Sequence, residues 1–219
     1  MVFVVDDSNI AEHGAVMEKV YLFRHKLFVE RLKWEECRKA DGREIDQFDG
    51  AGCVHLVRMD GGEVTAYTRL LPTTKPHLLT DVYPHLAQNG PAPRGPRVYE
   101  WTRCGTLPSR REGRAGIIDP ATAEIFTAAA EVARERGWDG LLAQTHPILV
   151  NRLMSCGWDV EPLGLPTKYL GHSIVAVFAR LKPETVETSR RFFGLGRSPI
   201  ERVEVDAGPG LDIEIRLRA

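Results

Sequence analysis

The chain has 219 residues, 43% hydrophobic and 27% charged, which suits one large or two small globular domains and excludes an extended disordered chain. Its 29 Lys and Arg nearly cancel its 30 Asp and Glu, leaving a net charge of −1, which counts against a nucleic-acid partner held by phosphate neutralisation. No stretch approaches the ~20 apolar residues of a membrane span, and acid appears at Asp6 and Asp7, unlike a signal peptide, so a cytoplasmic protein is expected.

Val2–Val5 is an apolar run that suits a buried strand. Val16, Val20, Phe23 and Leu27 form the stripe of an amphipathic helix over about residues 10–32. Residues 35–50 turn polar and acidic. Residues 54–59 read as a strand, Asp60-Gly61-Gly62 as a hairpin turn, and residues 63–71 as the return strand that Pro72 ends. Glycines and prolines make residues 86–97 an exposed loop, and residues 97–104 alternate as another strand. Asp119-Pro120 places an N-cap and a first-turn proline before an alanine-rich helix that runs to Arg136 and stops at Gly137. A buried strand (140–145), a short helix (147–155), an extended piece (158–162) and an apolar strand (172–181) follow. Residues 199–217 alternate about Gly208-Pro209-Gly210 and read as a terminal hairpin.

The order β-α-β-β-β-α-β-α-β predicts an α/β fold, a mixed, mostly antiparallel twisted sheet flanked by helices. One domain over 1–198 with a hairpin extension over 199–219 is expected. Cys37, Cys53, Cys104 and Cys156 form no C-x-x-C pair and read as reduced thiols. The seven histidines show no ligand spacing, so no metal site is expected.

Several residues break the plain amphipathic pattern. Arg24, Phe28 and Trp34 lie at and beyond the end of the first helix. Glu44-Ile45-Asp46-Gln47-Phe48-Asp49 packs three carboxylates around two apolar residues. Arg69 ends an otherwise apolar strand, and Glu100 and Arg103 sit three apart on the central one, which points them to opposite faces. Singly these read as surface ion pairs. Together they form an aromatic, charge-balanced patch that suits a cationic, carboxylate-bearing small molecule.

The run Arg24-His25-Lys26-Leu27-Phe28-Val29-Glu30-Arg31-Leu32-Lys33-Trp34 resembles the N-terminal signature of the LuxI-type acyl-homoserine-lactone synthases. The acidic block, Arg69-Leu70-Leu71-Pro72-Thr73, Asp81-Val82-Tyr83-Pro84, Glu100-Trp101-Thr102-Arg103 and Gly157-Trp158 resemble further blocks in the family's order. The resemblance implies a fold like the GCN5-related N-acetyltransferases. It implies quorum-sensing chemistry in which the amine of S-adenosylmethionine attacks an acyl thioester and the intermediate closes to a lactone, releasing methylthioadenosine. It implies no cofactor, since both small molecules are substrates.

Carried over by position, Arg24, Phe28 and Trp34 are expected to wall the S-adenosylmethionine site, and Asp46, Asp49 and Arg69 to brace it. Glu100 is the expected general base, directly or through a water, because an amine is mostly protonated at neutral pH. Arg103 is expected to bind the substrate carboxylate or orient the strand, and backbone N–H groups near residues 102–106 to hold the thioester oxyanion. Tyr83, Trp101, Thr102 and Thr145 are the expected acyl contacts. Tyr83 and Thr102 stand where the family usually has Phe and Ser, Trp101 where it is more often aliphatic, and Thr145 where members accepting 3-oxo chains often have Thr. Strand alternation puts Trp101 and Arg103 on one face and Glu100 and Thr102 on the other, unless a bulge intervenes.

Arg110, Arg111 and Arg114 fit R-x-x-G-x-A, a pyrophosphate loop, and are expected to dock the thioester donor. With Trp101 shortening the cleft, they point to acyl-coenzyme A carrying a short or branched acyl group such as isovaleryl. Acyl-acyl carrier protein is the alternative donor. A different N-acyltransferase of this fold and a non-catalytic sensor of the same ligands are the competing readings.

Overall fold

The computed structural model describes residues 1–107, 119–169 and 171–201. Eight strands are present among them: β1 (Val2–Val5), β2 (Val54–Asp60), β3 (Glu63–Pro72), β4 (Val98–Thr106), β5 (Gly140–Thr145), β6 (Asp159–Pro162), β7 (Thr167–Tyr169) and β8 (His172–Arg180). Their spatial order is β1-β2-β3-β4-β5-β8-β6, with β7 paired to β8. Among these pairings only β4 and β5 run parallel. A parallel pair needs a crossover, and the helix α3 (Pro120–Glu135) supplies it. Asp119 accepts the Thr122 N–H at the head of α3, as its N-cap position predicts.

The β4–β5 pairing covers Val98↔Gly140 to Trp101↔Ala143 and stops, although both strands continue. A β-bulge lies just beyond. Tyr67 faces Gly105 and Arg69 faces Thr102, so Arg103 and Cys104 oppose Thr68 alone. Arg103 takes the left-handed conformation, with φ 53°. The two central strands therefore part into a wedge.

Three alanines in a row, Ala128, Ala129 and Ala130, keep α3 close to one sheet face, where Leu56, Leu70, Leu141 and Val177 complete the core. On the other face α1 (Gly14–Arg24) packs Met17, Val20 and Phe23 against Val5, Val57 and Tyr67. The expected single helix over residues 10–32 is shorter and mixed: α1 ends at Arg24 and a π-helical segment, His25–Arg31, replaces it. This wider winding continues the same apolar stripe through Leu27 and Phe28. Gly105 allows it to sit close, because a Cβ there would lie 2.5 Å from Leu27 Cδ2.

Five elements lay outside the sequence reading: α2 (Leu78–Asp81), β7, α5 (Thr185–Phe193) and the 3₁₀ turns Glu35–Cys37 and Pro84–Leu86. The buried side of α5 is Thr185, Val186 and Ser189, too polar to read as a core face. It is fixed instead by Arg190 on the buried Glu131 of α3, at 2.6 and 2.8 Å. The helix α4 (Pro147–Ser155) has the predicted bounds. Residues 199–201 join the sheet edge, with Val2 N–H donating to Pro199 and Glu201 N–H donating to Val2. The rest of the expected hairpin, residues 202–219, lies outside the described residues.

Candidate active site

A cavity of about 1170 Å³ occupies the wedge and opens on both sheet faces. On the α1 side it is bordered by Phe28, Trp34, Asp46, Thr102, Arg103 and Gln144. On the α3 side it is bordered by Trp101, Ile125, Phe126, Ala143, Thr145 and Leu153.

Six charged side chains form one network on the α1 side. Arg24 donates to Glu44 at 2.6 Å and to both oxygens of Asp49 at 2.7 and 2.9 Å. Arg69 clasps Asp46 at 2.7 and 3.0 Å, reaches Asp49 at 2.6 Å, and donates through Nε to Thr102 Oγ1 at 3.1 Å. Arg103 bridges Glu44 at 3.1 Å and Asp46 at 2.8 Å. Three guanidiniums thus offset three carboxylates, the condition under which such charges tolerate burial. Burial pushes Glu44, Asp46 and Asp49 upward, but the arginine hydrogen bonds and charges outweigh it and leave all three carboxyls below their usual range. Beside them His55 donates to or accepts from Tyr67 Oη at 2.7 Å, and burial lowers its imidazole to about 4.

The bulge settles which way Arg103 points. Simple alternation put it with Trp101, opposite Glu100. The left-handed turn instead sends it to the side of Glu100 and Thr102, where its guanidinium lies 5.4 Å from the Trp34 ring centre and 5.7 Å from that of Phe28. Phe28 and Trp34 are stacked at 4.9 Å. Arg24, expected on the wall, is fully buried behind it, and Arg69 and Asp49 also stand behind rather than on the cavity surface.

Glu100 has no exposed surface and does not border the cavity. Its Oε2 accepts the Leu78 N–H at 2.8 Å; its Oε1 accepts the Leu79 N–H at 2.7 Å and Gln144 Nε2 at 2.9 Å. His77, equally buried, places Nδ1 3.3 Å from Oε1, off the line of a hydrogen bond, and neither of its ring nitrogens has a hydrogen-bond partner. Glu100 therefore reaches the cavity only through another group.

Trp101 leans on Phe126 at 5.0 Å and Trp158 at 6.1 Å on the α3 side, and Thr145 shares its face. Tyr83 and Thr102 border the same cavity from its other side. Tyr83 packs with Leu79 and Leu142 on the opposite face, edge-on to Tyr169 at 5.4 Å. Burial, then the Tyr169 hydrogen bond, push its phenol up to about 12. The Thr102 hydroxyl is engaged with Arg69. Arg110, Arg111 and Arg114 lie outside the described residues. Among the described residues no cluster of three or more His, Cys, Asp or Glu could hold a metal, and the four cysteines are free thiols.

Sequence reasoning missed Glu44 and Gln144 as individual contributors. Glu44 was visible within the acidic block. Gln144 was visible as the first polar residue after the buried run Gly140-Leu141-Leu142-Ala143.

The family model described as autoinducer synthase matches residues 7–188. This chain belongs to the autoinducer synthase family. Its curated relatives are acyl-homoserine-lactone synthases, which are acyltransferases. The isovaleryl-homoserine lactone synthase of Bradyrhizobium diazoefficiens is 29% identical over 99% of this chain and 94% of its own length. The solved coenzyme A-dependent synthase BjaI, with S-adenosylmethionine and isopentyl-coenzyme A, superposes with a TM-score of 0.84 at 29% identity, covering 97% of this chain and 95% of that one. An acyl-coenzyme A N-acyltransferase of Pseudomonas aeruginosa shares the fold alone, with a TM-score of 0.51 at 15% identity over 81% of this chain and 97% of its own. In this synthase family member the two lobes differ in chemistry. Acids border only the α1 side, as Glu36, Glu44 and Asp46, whereas the α3 side is chiefly apolar. No helix among the described residues is long and apolar enough to cross a membrane.

Proposed function

We propose that this chain makes an N-acyl-homoserine lactone from S-adenosylmethionine and a short or branched acyl-coenzyme A, isovaleryl-coenzyme A being the leading donor. The observation that carries this reading is one continuous cavity with an aromatic, acid-bearing lobe and an apolar lobe joined at the wedge. The sulfonium suits the Phe28–Trp34 lobe, where ring faces and carboxylates favour a cation. The acyl group suits the other lobe, which Trp101 and Phe126 floor.

The amine nitrogen attacks the thioester carbon, the C–S bond breaks, and the thiol leaves with a proton the amine gives up. The methionyl carboxylate oxygen then bonds to its own γ-carbon as the C–S⁺ bond breaks, releasing methylthioadenosine. Arg103, on the α1 side, orients the methionyl end; its partners Glu44 and Asp46 keep it in place. The amine arrives as an ammonium, so it gives up two protons: the first passes to a water on the way to Glu100, whose own oxygens are occupied, and the second is the one that leaves with the thiol. The Arg103–Cys104 bulge takes a backbone N–H out of the regular ladder at the wedge, and we assign the oxyanion to it. Thr145 and Trp101 contact the acyl chain; Arg110, Arg111 and Arg114 receive the donor. Residues 1–198 form the catalytic unit, with 199–219 an extension, and the site of action is the cytoplasm.

The test is turnover with S-adenosylmethionine and a panel of acyl-coenzyme A and acyl-carrier-protein donors of graded length and branching. Highest kcat/KM with a branched or short coenzyme A thioester is expected. Preference for a carrier-protein thioester would assign the arginine loop to that partner instead. Acylation of other amines without methylthioadenosine would replace the lactone synthase with a simple acyltransferase.

A further inference from the structure

Gln144 carries a hydrogen-bond acceptor into the cavity, and chemistry fixes its direction. Its Nε2 donates to Glu100 Oε1 at 2.9 Å. That oxygen also accepts the Leu79 N–H, and Oε2 accepts the Leu78 N–H, so both carboxylate oxygens act as acceptors. Only the NH₂ end of the amide can face them. The amide carbonyl must therefore point away from Glu100, into the cavity that the half-buried Gln144 borders. Flipping the amide would set oxygen against oxygen, and Glu100 is pinned by two backbone donors.

The lobe that receives this carbonyl follows from the register. Leu142 pairs with Glu100, and Gln144 lies two residues on, hence on the same sheet face as Glu100, Thr102 and Arg103. This is the aromatic, acid-bearing lobe, at the point where the wedge opens. No described residue donates to the carbonyl. An amide whose N–H is engaged by a carboxylate is polarised at its oxygen, and it best receives a cationic N–H donor.

Resting on the proposed function, we propose that Gln144 binds the α-amine of S-adenosylmethionine and that Glu100 is the positioning residue behind it. The amine is the cationic nitrogen that must stand at the wedge to reach the thioester. This assigns a substrate contact to β5, where the sequence offered only Thr145.

The test is calorimetric titration of the wild type and Gln144→Met with S-adenosylmethionine and with methylthioadenosine. Methylthioadenosine keeps the adenine and the sulfur but lacks the amine. Methionine is unbranched and similar in size, and it removes the carbonyl. S-adenosylmethionine should bind the variant about 10- to 100-fold more weakly, with methylthioadenosine unchanged. Unchanged binding of both ligands, or equal weakening of both, would overturn the proposal. Should the variant not fold, the wild type with the deaminated analogue of S-adenosylmethionine decides: about 10- to 100-fold weaker binding is expected, and equal binding overturns it. A wild type that binds neither S-adenosylmethionine nor methylthioadenosine would instead remove the site reading itself, and this proposal with it.

Discussion

The Arg103 guanidinium lies 5.4 Å from the centre of the Trp34 ring, and the chain leaves ordinary backbone on both sides of that contact. Arg103 has φ 53° and Lys33, next to Trp34, has φ 62°; among the described residues these are the two non-glycine positions in the left-handed region. Such conformations cost about 1–3 kcal/mol each and gather at functional sites. Arg103→Lys keeps a charge but loses the fork that spans Glu44 and Asp46. Affinity for S-adenosylmethionine should fall by about tenfold or more, on the scale of one charge-assisted hydrogen bond. Titration calorimetry on the variant checks this, and wild-type affinity would separate Arg103 from the substrate lobe.

Glu100→Gln looks conservative in the sequence, a lost base with little effect on folding. The hydrogen bonds say otherwise. Glutamine has one acceptor oxygen, whereas Glu100 satisfies backbone donors on both. One N–H of α2 would face an NH₂ group, a buried mismatch worth about 1–3 kcal/mol. The variant should melt lower than the wild type as well as turn over more slowly. Unchanged denaturant stability would mean that α2 is not held in this way.

Asp46→Asn should be among the most damaging single changes. It strips charge from a group that holds both Arg69 and Arg103, and breaking a buried pair typically costs about 3–5 kcal/mol. Urea unfolding measures this. A loss below about 1 kcal/mol would mark the network as loosely solvated.

Stability should fall with acid over two pH ranges. His55 has a depressed pKa of about 4, so it binds a proton more weakly when folded. Its contribution is complete above the unfolded value of about 6.5 and is lost as pH falls toward about 4, amounting to on the order of 3 kcal/mol. Glu44, Asp46 and Asp49 are also depressed, so their contribution persists above the ordinary carboxylate range and is lost below it. Denaturation midpoints from pH 7 to pH 3 should fall throughout. His55→Gln should flatten the upper range only; an unaltered slope would contradict the assignment to His55.

If the apolar lobe takes the acyl chain, Trp101→Leu should lengthen that lobe, because Trp101 closes it against Phe126 and Trp158. Product mass spectrometry over a donor series should shift toward longer chains. An unaltered profile would place the chain-length limit elsewhere.

Much of the frame was legible because hydrophobic period and turn residues act locally. The bounds of β5 and α4, and the Asp119-Pro120 start of α3, follow from such signals. What was not legible depends on partners distant in the chain. The direction of Arg103 hangs on one extra residue opposite Thr68. The burial of Glu100 hangs on α2, a single turn whose N–H groups it caps. The π-helical winding after Arg24 carries the same apolar stripe as an α-helix, so no period announces it. Tyr83 carried an aromatic signal but no sign of which sheet face it would join.

The central claim is that one cavity couples acyl transfer to lactone closure. It is tested most directly by incubating the protein with S-adenosylmethionine and isovaleryl-coenzyme A and quantifying free thiol and methylthioadenosine together. Equal amounts of both, with a product of the mass of N-isovaleryl-homoserine lactone, are predicted. Thiol released without methylthioadenosine would contradict the account.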